Sequence, residues 1–372
     1  MCIEPYSMNY DVVLFQELLQ TYPTWTQLRP HLEQMQLRII DCSDNYYIIR
    51  YEKGLSHFSN PVVPWFRSVV WDGTTNRPLS IAPPKASDAA RIVDLTTKEY
   101  RIEEFLEGVM VNLFLDREGQ LRYATRSRLD ATGTFYSSRS FLELLREALG
   151  STSERELLGQ AQFASLLLQH PEHRIVSRIQ TPAVHVIHTG VVDPSGGVHF
   201  TEHRPTLTKP AEEPLESWFK HLAETKGWQW QGIVLKDGQG KRVRMRSSTY
   251  AMVRTLRSDS PRLDIRFLKL RQKRLLETYY YYYPEDQAAM RQLELDIHAI
   301  TQQLYTAYVN CHIKHAHPFA DLPAQLKTHV WALHSQYLGT LKEKGYFIRK
   351  QEVIQYVNGL AIPRILHLLR FL

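Results

Sequence analysis

Apolar residues recur at two different spacings along the chain, and the spacing changes near residue 45. The first 44 residues place apolar side chains at helical spacing and predict two short helices that pack on the rest of the chain, with breaks at Pro23 and Pro30. From about residue 45, short alternating segments bounded by turn residues predict strands. Among them, the turn residues of "LDREGQ" predict a hairpin between two antiparallel strands.

Helical patterns first interrupt these strands and later replace them. "YSSRSFLELLREALG" and "ERELLGQAQFASLLLQ" predict a helical insertion, after which strands return. Because strands and helices do not alternate regularly, the pattern predicts the α+β class, with antiparallel sheets flanked by helices, and disfavours a doubly wound parallel sheet. After about residue 262 the pattern is helical to the end, and one face of a long predicted helix holds Leu293, Ile297, Ile300, Leu304, Tyr308 and Cys311.

These changes of pattern predict three regions. Residues 1–44 are expected to pack on the main domain, residues 45–258 to form that domain, and residues 259–372 to form a separate helical domain. A chain of 372 residues is long enough for two domains.

Composition restricts the class of protein further. The hydrophobic fraction of 43% and the charged fraction of 23% are typical of soluble globular proteins, and no apolar run reaches the roughly 20 residues that cross a bilayer, so no membrane contact is expected. Cys2, Cys42 and Cys311 are too far apart to predict a disulfide framework or a zinc site. We therefore expect a reducing compartment, the cytoplasm, or a host cytoplasm or virion if the protein is viral.

The distribution of charge suggests an anionic partner. The formal net charge is +6, and the stretch from Lys241 to Arg274 holds twelve lysines and arginines against two aspartates. Such an imbalance favours a surface for a phosphate backbone, with an ordinary solvated face as the alternative. The candidate residues of this stretch are Arg254, Arg257, Arg266, Lys269 and Arg271. No metal site is predicted, because the histidines of "HIKHAHP" have no acidic or cysteine companion.

Five segments occur in an order typical of one enzyme family: "FRSVVWDGTTNRPLSIAPPKA" (66–86), "EGVMVNLFLDREGQLRYATRSRL" (107–129), "QHPEHRIV" (169–176), "QGIVLKD" (231–237) and "RVRMRSSTY" (242–250). Over about 200 residues they resemble the nucleotidyltransferase domain of ATP-dependent RNA ligases of the phage-T4 RNA ligase 1 type. The wording is most similar to that of ligase-like proteins of large DNA viruses. The helical remainder is similar in kind to the C-terminal domain of such ligases.

The resemblance implies a particular chemistry, and the sequence departs from it at the decisive residue. In these ligases a lysine of a Lys-x-Asp-Gly motif attacks the α-phosphate of ATP, and the AMP then passes to an RNA 5′-phosphate. Glu107 and Gly108 match the second half of that motif, whereas Phe105 occupies the lysine position. Phenylalanine has no nucleophilic atom, so no phosphoramidate can form there.

Three further motifs depart from the family pattern. Leu167 stands where these ligases supply a glutamate, and Gln231 replaces the glutamate that helps to hold the metal, although a neutral amide is a poor ligand for Mg²⁺. Arg244 and Arg246 replace paired lysines, which keeps the charge and provides planar donors suited to phosphates.

The resemblance implies phosphate or ribose contacts for the residues that are retained. The candidates for nucleotide binding are Glu107, Gly108, Arg126, Arg174, Gln231, Lys236, Arg244 and Arg246. Arg67 and Lys85, which flank the first matching strand, are added to the candidates for nucleic-acid binding. Arg126 and Arg174 could instead form structural ion pairs with Glu107 or Glu172, and Glu107 could equally be a buried turn residue.

The sequence therefore predicts a degenerate RNA-ligase-like protein that does not adenylylate itself and that is retained for binding RNA or a nucleotide, or as an assembly component. One alternative is an active nucleotidyltransferase that uses ATP and Mg²⁺ with Lys98 as its nucleophile. Another is a structural protein, for example of a virion. An open cavity lined by arginine and lysine would support ligand binding, whereas a cavity filled with apolar side chains would support the structural alternative.

Overall fold

The structure is a computed structural model, and it describes residues 8–88 and 100–370. The chain divides into two compact units, Met1–Arg254 and Thr255–Leu372. The division into three regions, with boundaries after residues 44 and 258, stays a prediction.

Fourteen strands lie in the described part of the first unit: β1 (Met8–Val12), β2 (Leu37–Asp41), β3 (Tyr46–Tyr51), β4 (Val69–Asp72), β5 (Arg77–Ile81), β6 (Ser87–Asp88), β7 (Arg101–Glu104), β8 (Val109–Leu115), β9 (Leu121–Ala124), β10 (Phe163–Gln169), β11 (Ala183–Val192), β12 (Val198–Glu202), β13 (Gly232–Lys236) and β14 (Arg242–Arg246). They form a large sheet in the order β1-β12-β11-β10-β8-β9, a second sheet in the order β6-β14-β13-β7 and a third in the order β2-β3-β4-β5. Neighbouring strands are antiparallel except β6 and β14, which are parallel.

The helices of this part of the chain are α1 (Leu14–Thr21), α2 (Trp25–Gln34), α3 (Phe141–Leu149), α4 (Glu154–Leu158) and α5 (Leu215–Lys226), and α6 (Ser248–Arg257) follows β14. Contrary to the expectation of a break at Pro30, α2 continues through that residue. Trp25, Leu28 and Leu32 are buried on one side of α2, so packing on the core outweighs the backbone hydrogen bond that a proline inside a helix removes.

The main core of the first unit lies between α1, α2 and the sheets. Phe15 of α1 and Leu28 of α2 are fully buried in one cluster with Ile48 of β3 and Val69 of β4. A second cluster covers the large sheet, where Leu144 and other apolar residues of α3 pack against β8 and β10. The predicted hairpin is also present, because β8 and β9 are antiparallel and the amide of Asp116 donates to the carbonyl of Gln120.

The second unit consists of helices. They are α7 (Leu263–Gln272), α8 (Leu276–Tyr282), α9 (Gln287–Tyr308), α10 (Ala324–Gln336), α11 (Lys350–Gly359) and α12 (Ile362–Leu369). The long helix α9 contacts α7, α10, α11 and α12. Ile297, Ile300, Leu304 and Tyr308 are buried on its one apolar face, as the spacing predicts.

The fold class is thus confirmed as α+β, with antiparallel sheets flanked by helices and followed by a helical C-terminal region. Among residues 8–88 and 100–370, no helix is both long and apolar enough to cross a bilayer.

Candidate functional site

A cavity of about 280 Å³ opens in the first unit beside the second sheet. Its size is near the lower end of the range of about 300–1,000 Å³ for ligand pockets. Nine basic residues among those that the structure describes line it: Lys53, Arg67, Lys85, Arg126, Arg204, Arg242, Arg244, Arg246 and Arg254. The acidic members of this described lining are Glu103, Glu104 and Glu107. A polyanion is the complementary ligand for such a lining.

Three of the arginines come from a single strand. β14 has the sequence Arg-Val-Arg-Met-Arg, and successive residues of a strand point to opposite faces. Val243 and Met245 pack in an apolar cluster with Trp218 and Ile233, so the other face presents Arg242, Arg244 and Arg246 to the cavity. The alternation of the sequence is therefore sufficient to build one basic wall.

Two more arginines stand on the side of the third sheet. The guanidinium of Arg126 donates to the carbonyl of Tyr51 at 2.5 Å and to the carbonyl of Arg67 at 3.3 Å, which fixes its position. Burial and the charges of Arg242, Arg126 and Arg244 lower the pKa of Arg67 to about 10. Burial is the largest cause of this shift and the neighbouring arginines add to it, so an anion placed among them would favour the charged form of Arg67.

Two arginine donors have no hydrogen-bond acceptor in the part of the chain that the structure describes. The Nε atoms of Arg242 and Arg246 are buried, and neither meets a hydrogen-bond acceptor among the described residues. Buried donors are normally paired, because an unpaired one loses its hydrogen bond to water. Both side chains line the cavity, where a phosphate is a suitable partner for their guanidinium groups.

Phe105, at the position that the resemblance assigns to the nucleophile, lines this cavity. It directly follows β7, and its amide donates to the carbonyl of Gly232 at 2.9 Å, which holds it beside β13. Gly232 has φ +133°, and a side chain there would collide with the carbonyl oxygen of Met245. The ring of Phe105 is half-buried and lies beneath the guanidinium of Arg246, 5.6 Å from its centroid.

Glu107 is buried and holds the neighbouring loop. Its carboxylate accepts hydrogen bonds from the amides of Val176 and Ser177 and from the hydroxyl of Tyr250 at 2.6 Å. Burial raises its pKa, although these donors act in the opposite direction. Burial and the charge of Glu107 raise the pKa of Tyr250, so the phenol keeps its proton and donates. The carboxylate is fully engaged, as expected for a buried turn residue.

The other two acidic residues are also engaged. One oxygen of Glu103 lies 2.8 Å from the ammonium of Lys236, whose second partner is Glu202 at 2.5 Å. Glu104 accepts hydrogen bonds from the ammonium of Lys226 at 3.1 Å and from the indole of Trp230 at 2.9 Å.

The side chains of the described lining do not offer suitable ligands for a magnesium ion. Mg²⁺ requires carboxylate or other oxygen ligands in octahedral geometry. The ligases that this sequence resembles carry glutamate at two positions, which are occupied here by Leu167 and Gln231. Both residues line the cavity, but the side chain of Leu167 has no polar atom and that of Gln231 ends in a neutral amide. Among residues 8–88 and 100–370, no group of three or more potential histidine, cysteine or acidic ligands is placed to bind a metal.

The cavity brings together six of the eight predicted nucleotide-binding residues: Glu107, Gly108, Arg126, Gln231, Arg244 and Arg246. The remaining two lie elsewhere. Lys236 is fully buried between its two glutamates, and Arg174 is buried, with its Nε donating to the carbonyl of Val176 and its guanidinium over the ring of Trp228. Ligand contacts by these two residues stay predictions.

The predicted nucleic-acid-binding residues are divided between the two units. Arg67, Lys85 and Arg254 line the cavity, whereas Arg257, Arg266, Lys269 and Arg271 belong to the second unit. Arg266 is buried there, and its guanidinium donates to the carbonyls of Arg257 and Ser260 and to Asp286. Arg257 is buried near Asp286 as well, and Arg271 donates to Asn358. Lys269 is exposed, and Lys98 lies outside the described residues.

Several residues that line the cavity were not among the candidates predicted from the sequence. Arg242 belongs to the same alternating strand as Arg244 and Arg246, so its strand position was a usable signal. Tyr250 ends the segment 242–250 that carries the family resemblance, whereas Arg204 had no comparable signal because it reaches the cavity from a segment distant in the sequence.

Comparisons with known proteins give weak similarity. No model of a protein family matches the chain, and no curated protein does. Among solved structures, two forms of an archaeal ATP-dependent RNA ligase are similar: form 1 is 12% identical over 68% of each chain, with a TM-score of 0.36. Form 2 is 13% identical over 77% of this chain and 82% of the other, with a TM-score of 0.38.

A third similar structure is that of a candidate ATP-dependent DNA ligase from Aquifex aeolicus. It is 10% identical over 89% of this chain and 85% of the other, with a TM-score of 0.35. Similarity at this level assigns neither a family nor an activity to this chain.

Proposed function

We propose that this protein is a degenerate relative of ATP-dependent RNA ligases that binds a phosphorylated nucleotide in the basic cavity and does not attach AMP to itself. The observation that supports the proposal best is the open cavity itself. Its lining contains six predicted nucleotide-binding residues and also Phe105, which occupies the nucleophile position. An arginine-lined cavity of this kind favours ligand binding over the structural alternative.

The lining suits both parts of a nucleotide. The arginines of the lining have planar donors that match phosphate oxygens. Apolar side chains offer surface for a base: Phe105, Leu106, Met110, Leu167, Ile175, Ile187 and Val234. Free ATP and the 5′-phosphate end of an RNA share this chemistry, so both are proposed ligands.

Binding is tested by titrating the full chain with ATP, with a 5′-phosphorylated RNA oligonucleotide and with the same oligonucleotide bearing a 5′-hydroxyl. Replacement of Arg242 or Arg246 by glutamine should weaken binding of a phosphorylated ligand by about tenfold, the loss of one charge-assisted hydrogen bond of roughly 1.5 kcal/mol. Arg128→Gln is the matched control, because Arg128 is exposed and lies outside the cavity lining. Absence of binding to every one of these ligands would contradict the proposal.

Loss of adenylylation is tested separately with ATP labelled in the α-phosphate. No label should remain on the denatured protein, because Phe105 has no attacking atom and Gln231 is a poor metal ligand. The competing candidate is an active nucleotidyltransferase with another lysine, and one observation favours it: Lys53 and Lys85 line the cavity. Retained label that disappears in Lys85→Ala, Lys53→Ala or Lys98→Ala would establish that candidate.

A further inference from the structure

Basic residues outnumber acidic residues in the described lining of the cavity. Nine lysines and arginines line it beside three glutamates, and Asp88 pairs with one of the arginines, Arg244. Each glutamate already has partners: Glu103 pairs with Lys236, Glu104 accepts from Lys226, and Glu107 accepts from Tyr250 and two amides. A nucleoside triphosphate that enters the cavity therefore contacts the charged lysine and arginine side chains directly.

A divalent cation would have little to bind to on the protein side. Mg²⁺ bridges phosphates to protein carboxylates in most nucleotide sites. Here the two positions nearest to that role are Leu167 and Gln231, which provide a hydrocarbon and a neutral amide. The three lining glutamates could coordinate a metal only by giving up ion pairs or hydrogen bonds that hold the fold.

Arginines are placed where they can neutralise the phosphates instead. Arg126 is held by two backbone carbonyls, and Arg244 by Asp88 at 2.6 Å, so their donors are already positioned. The buried Nε atoms of Arg242 and Arg246 lack acceptors among the described residues. Planar guanidinium groups provide several directed donors each, and a bound metal on the ligand would compete with them for the same oxygens.

We infer that the cavity binds its phosphate ligand as the free polyanion, with arginines in place of a divalent cation. This inference rests on the proposed function and specifies the ionic form of the ligand. It also gives a single reason for the substitutions: without carboxylates at positions 167 and 231, fewer negative charges of the described lining oppose a metal-free triphosphate.

The direct test is the dissociation constant of ATP for the full chain, measured by calorimetry once with EDTA and once with saturating Mg²⁺. We expect binding with EDTA to be equally tight or up to about tenfold tighter, because Mg²⁺ removes two negative charges from the triphosphate. Binding that weakens about tenfold or more when Mg²⁺ is removed would overturn the inference and leave the proposed function standing. Absence of ATP binding in both buffers would overturn the inference for ATP, and absence of binding to the 5′-phosphorylated RNA as well would contradict the proposed function itself.

A charge substitution tests the same point from the side of the protein. Gln231→Glu restores a carboxylate to the cavity with almost no change in shape, and it should weaken binding of metal-free ATP by about tenfold, with partial recovery in Mg²⁺. Gln160→Glu makes the same change at an exposed position outside the lining and should leave affinity unchanged within about twofold. Equal affinity of Gln231→Glu and the parent protein for metal-free ATP would contradict the inference. The comparison of ATP binding in EDTA and in Mg²⁺ uses the parent protein only, so it does not depend on the folding of any variant.

Discussion

The guanidinium of Arg246 lies over the ring of Phe105, 5.6 Å from the ring centroid. A cation over an aromatic face is a favourable contact. The guanidinium therefore lies next to position 105, where the ligases that this sequence resembles carry a lysine. A lysine restored there would meet a like charge in a basic cavity.

We therefore expect Phe105→Lys to fail to restore adenylylation and to lower the free energy of unfolding by roughly 1–3 kcal/mol, the scale of repulsion between two charges at this separation. Catalytic groups that act together are not recovered one at a time, and the carboxylates missing at Leu167 and Gln231 would still be absent. Thermal unfolding and α-labelled ATP measure the two effects. Phe105→Met, which is uncharged, separates the effect of charge from the loss of the ring. A labelled and fully stable Phe105→Lys protein would refute the interpretation of a degenerate site.

Glu107 is expected to stabilise the fold rather than to act in chemistry. Glu107→Gln places an amide group among the donors of Val176, Ser177 and Tyr250, and should cost roughly 1–3 kcal/mol of unfolding free energy. Tyr250→Phe removes only one of these hydrogen bonds and should cost about 1 kcal/mol. Denaturant unfolding of both variants checks the order. An unchanged stability of Glu107→Gln would show that the carboxylate is not needed for the loop.

Arg266 and Lys269 belong to the same basic stretch but should behave differently. Arg266 is buried and contacts Asp286 at 3.3 Å, so Arg266→Ala should lower the unfolding free energy by roughly 2–4 kcal/mol. Lys269 is exposed, so Lys269→Ala should stay within about 0.5 kcal/mol of the parent.

The same two variants separate structural from ligand contacts. If Lys269 neutralises an RNA phosphate, Lys269→Ala should reduce the slope of log affinity against log salt by about 0.7 for a single strand. Arg266→Ala should leave that slope unchanged at a temperature where it is folded. A reduced slope for Arg266→Ala alone would reverse the assignment.

His188 predicts a loss of stability in mild acid. Its Nε2 donates to the carbonyl of Ile81 at 2.9 Å, and burial lowers its pKa from 6.5 to about 4. The unfolded chain then takes up a proton at a higher pH than the folded chain does. The contribution of neutral His188 to the free energy of unfolding is complete above about pH 6.5. It is lost as the pH falls, and the loss reaches roughly 3 kcal/mol at about pH 4.

Urea unfolding of the parent and of His188→Gln across this pH range measures the effect. The variant retains a donor for Ile81 but has no proton to gain, so its stability should fall by roughly 3 kcal/mol less than that of the parent. Parallel pH profiles would show that His188 is protonated in the folded protein as easily as in the unfolded chain.

The pattern of side chains along the sequence determined many of the elements and part of the cavity. It was wrong for "FASLLLQ", which was predicted as helix and forms β10, and it missed strands β1 and β2 within the first 44 residues. Alternation in "RVRMR" was enough to place arginines on one face of a strand, and helical spacing was enough to place Ile297 and Leu304 on the buried face of α9. Such periodicities act over neighbouring residues, so they are readable without knowing the fold. The absence of a nucleophilic atom at Phe105 is likewise a property of the residue itself.

The tertiary structure alone decided which charged residues face the cavity and which are buried in pairs. Lys236 was expected at a nucleotide, but Glu103 and Glu202, far away in the sequence, enclose its ammonium. Arg266 was expected on a surface, but folding turns it towards Asp286. A charged side chain has no periodicity that reveals its partner, because the energy of an ion pair depends on distance and burial after folding.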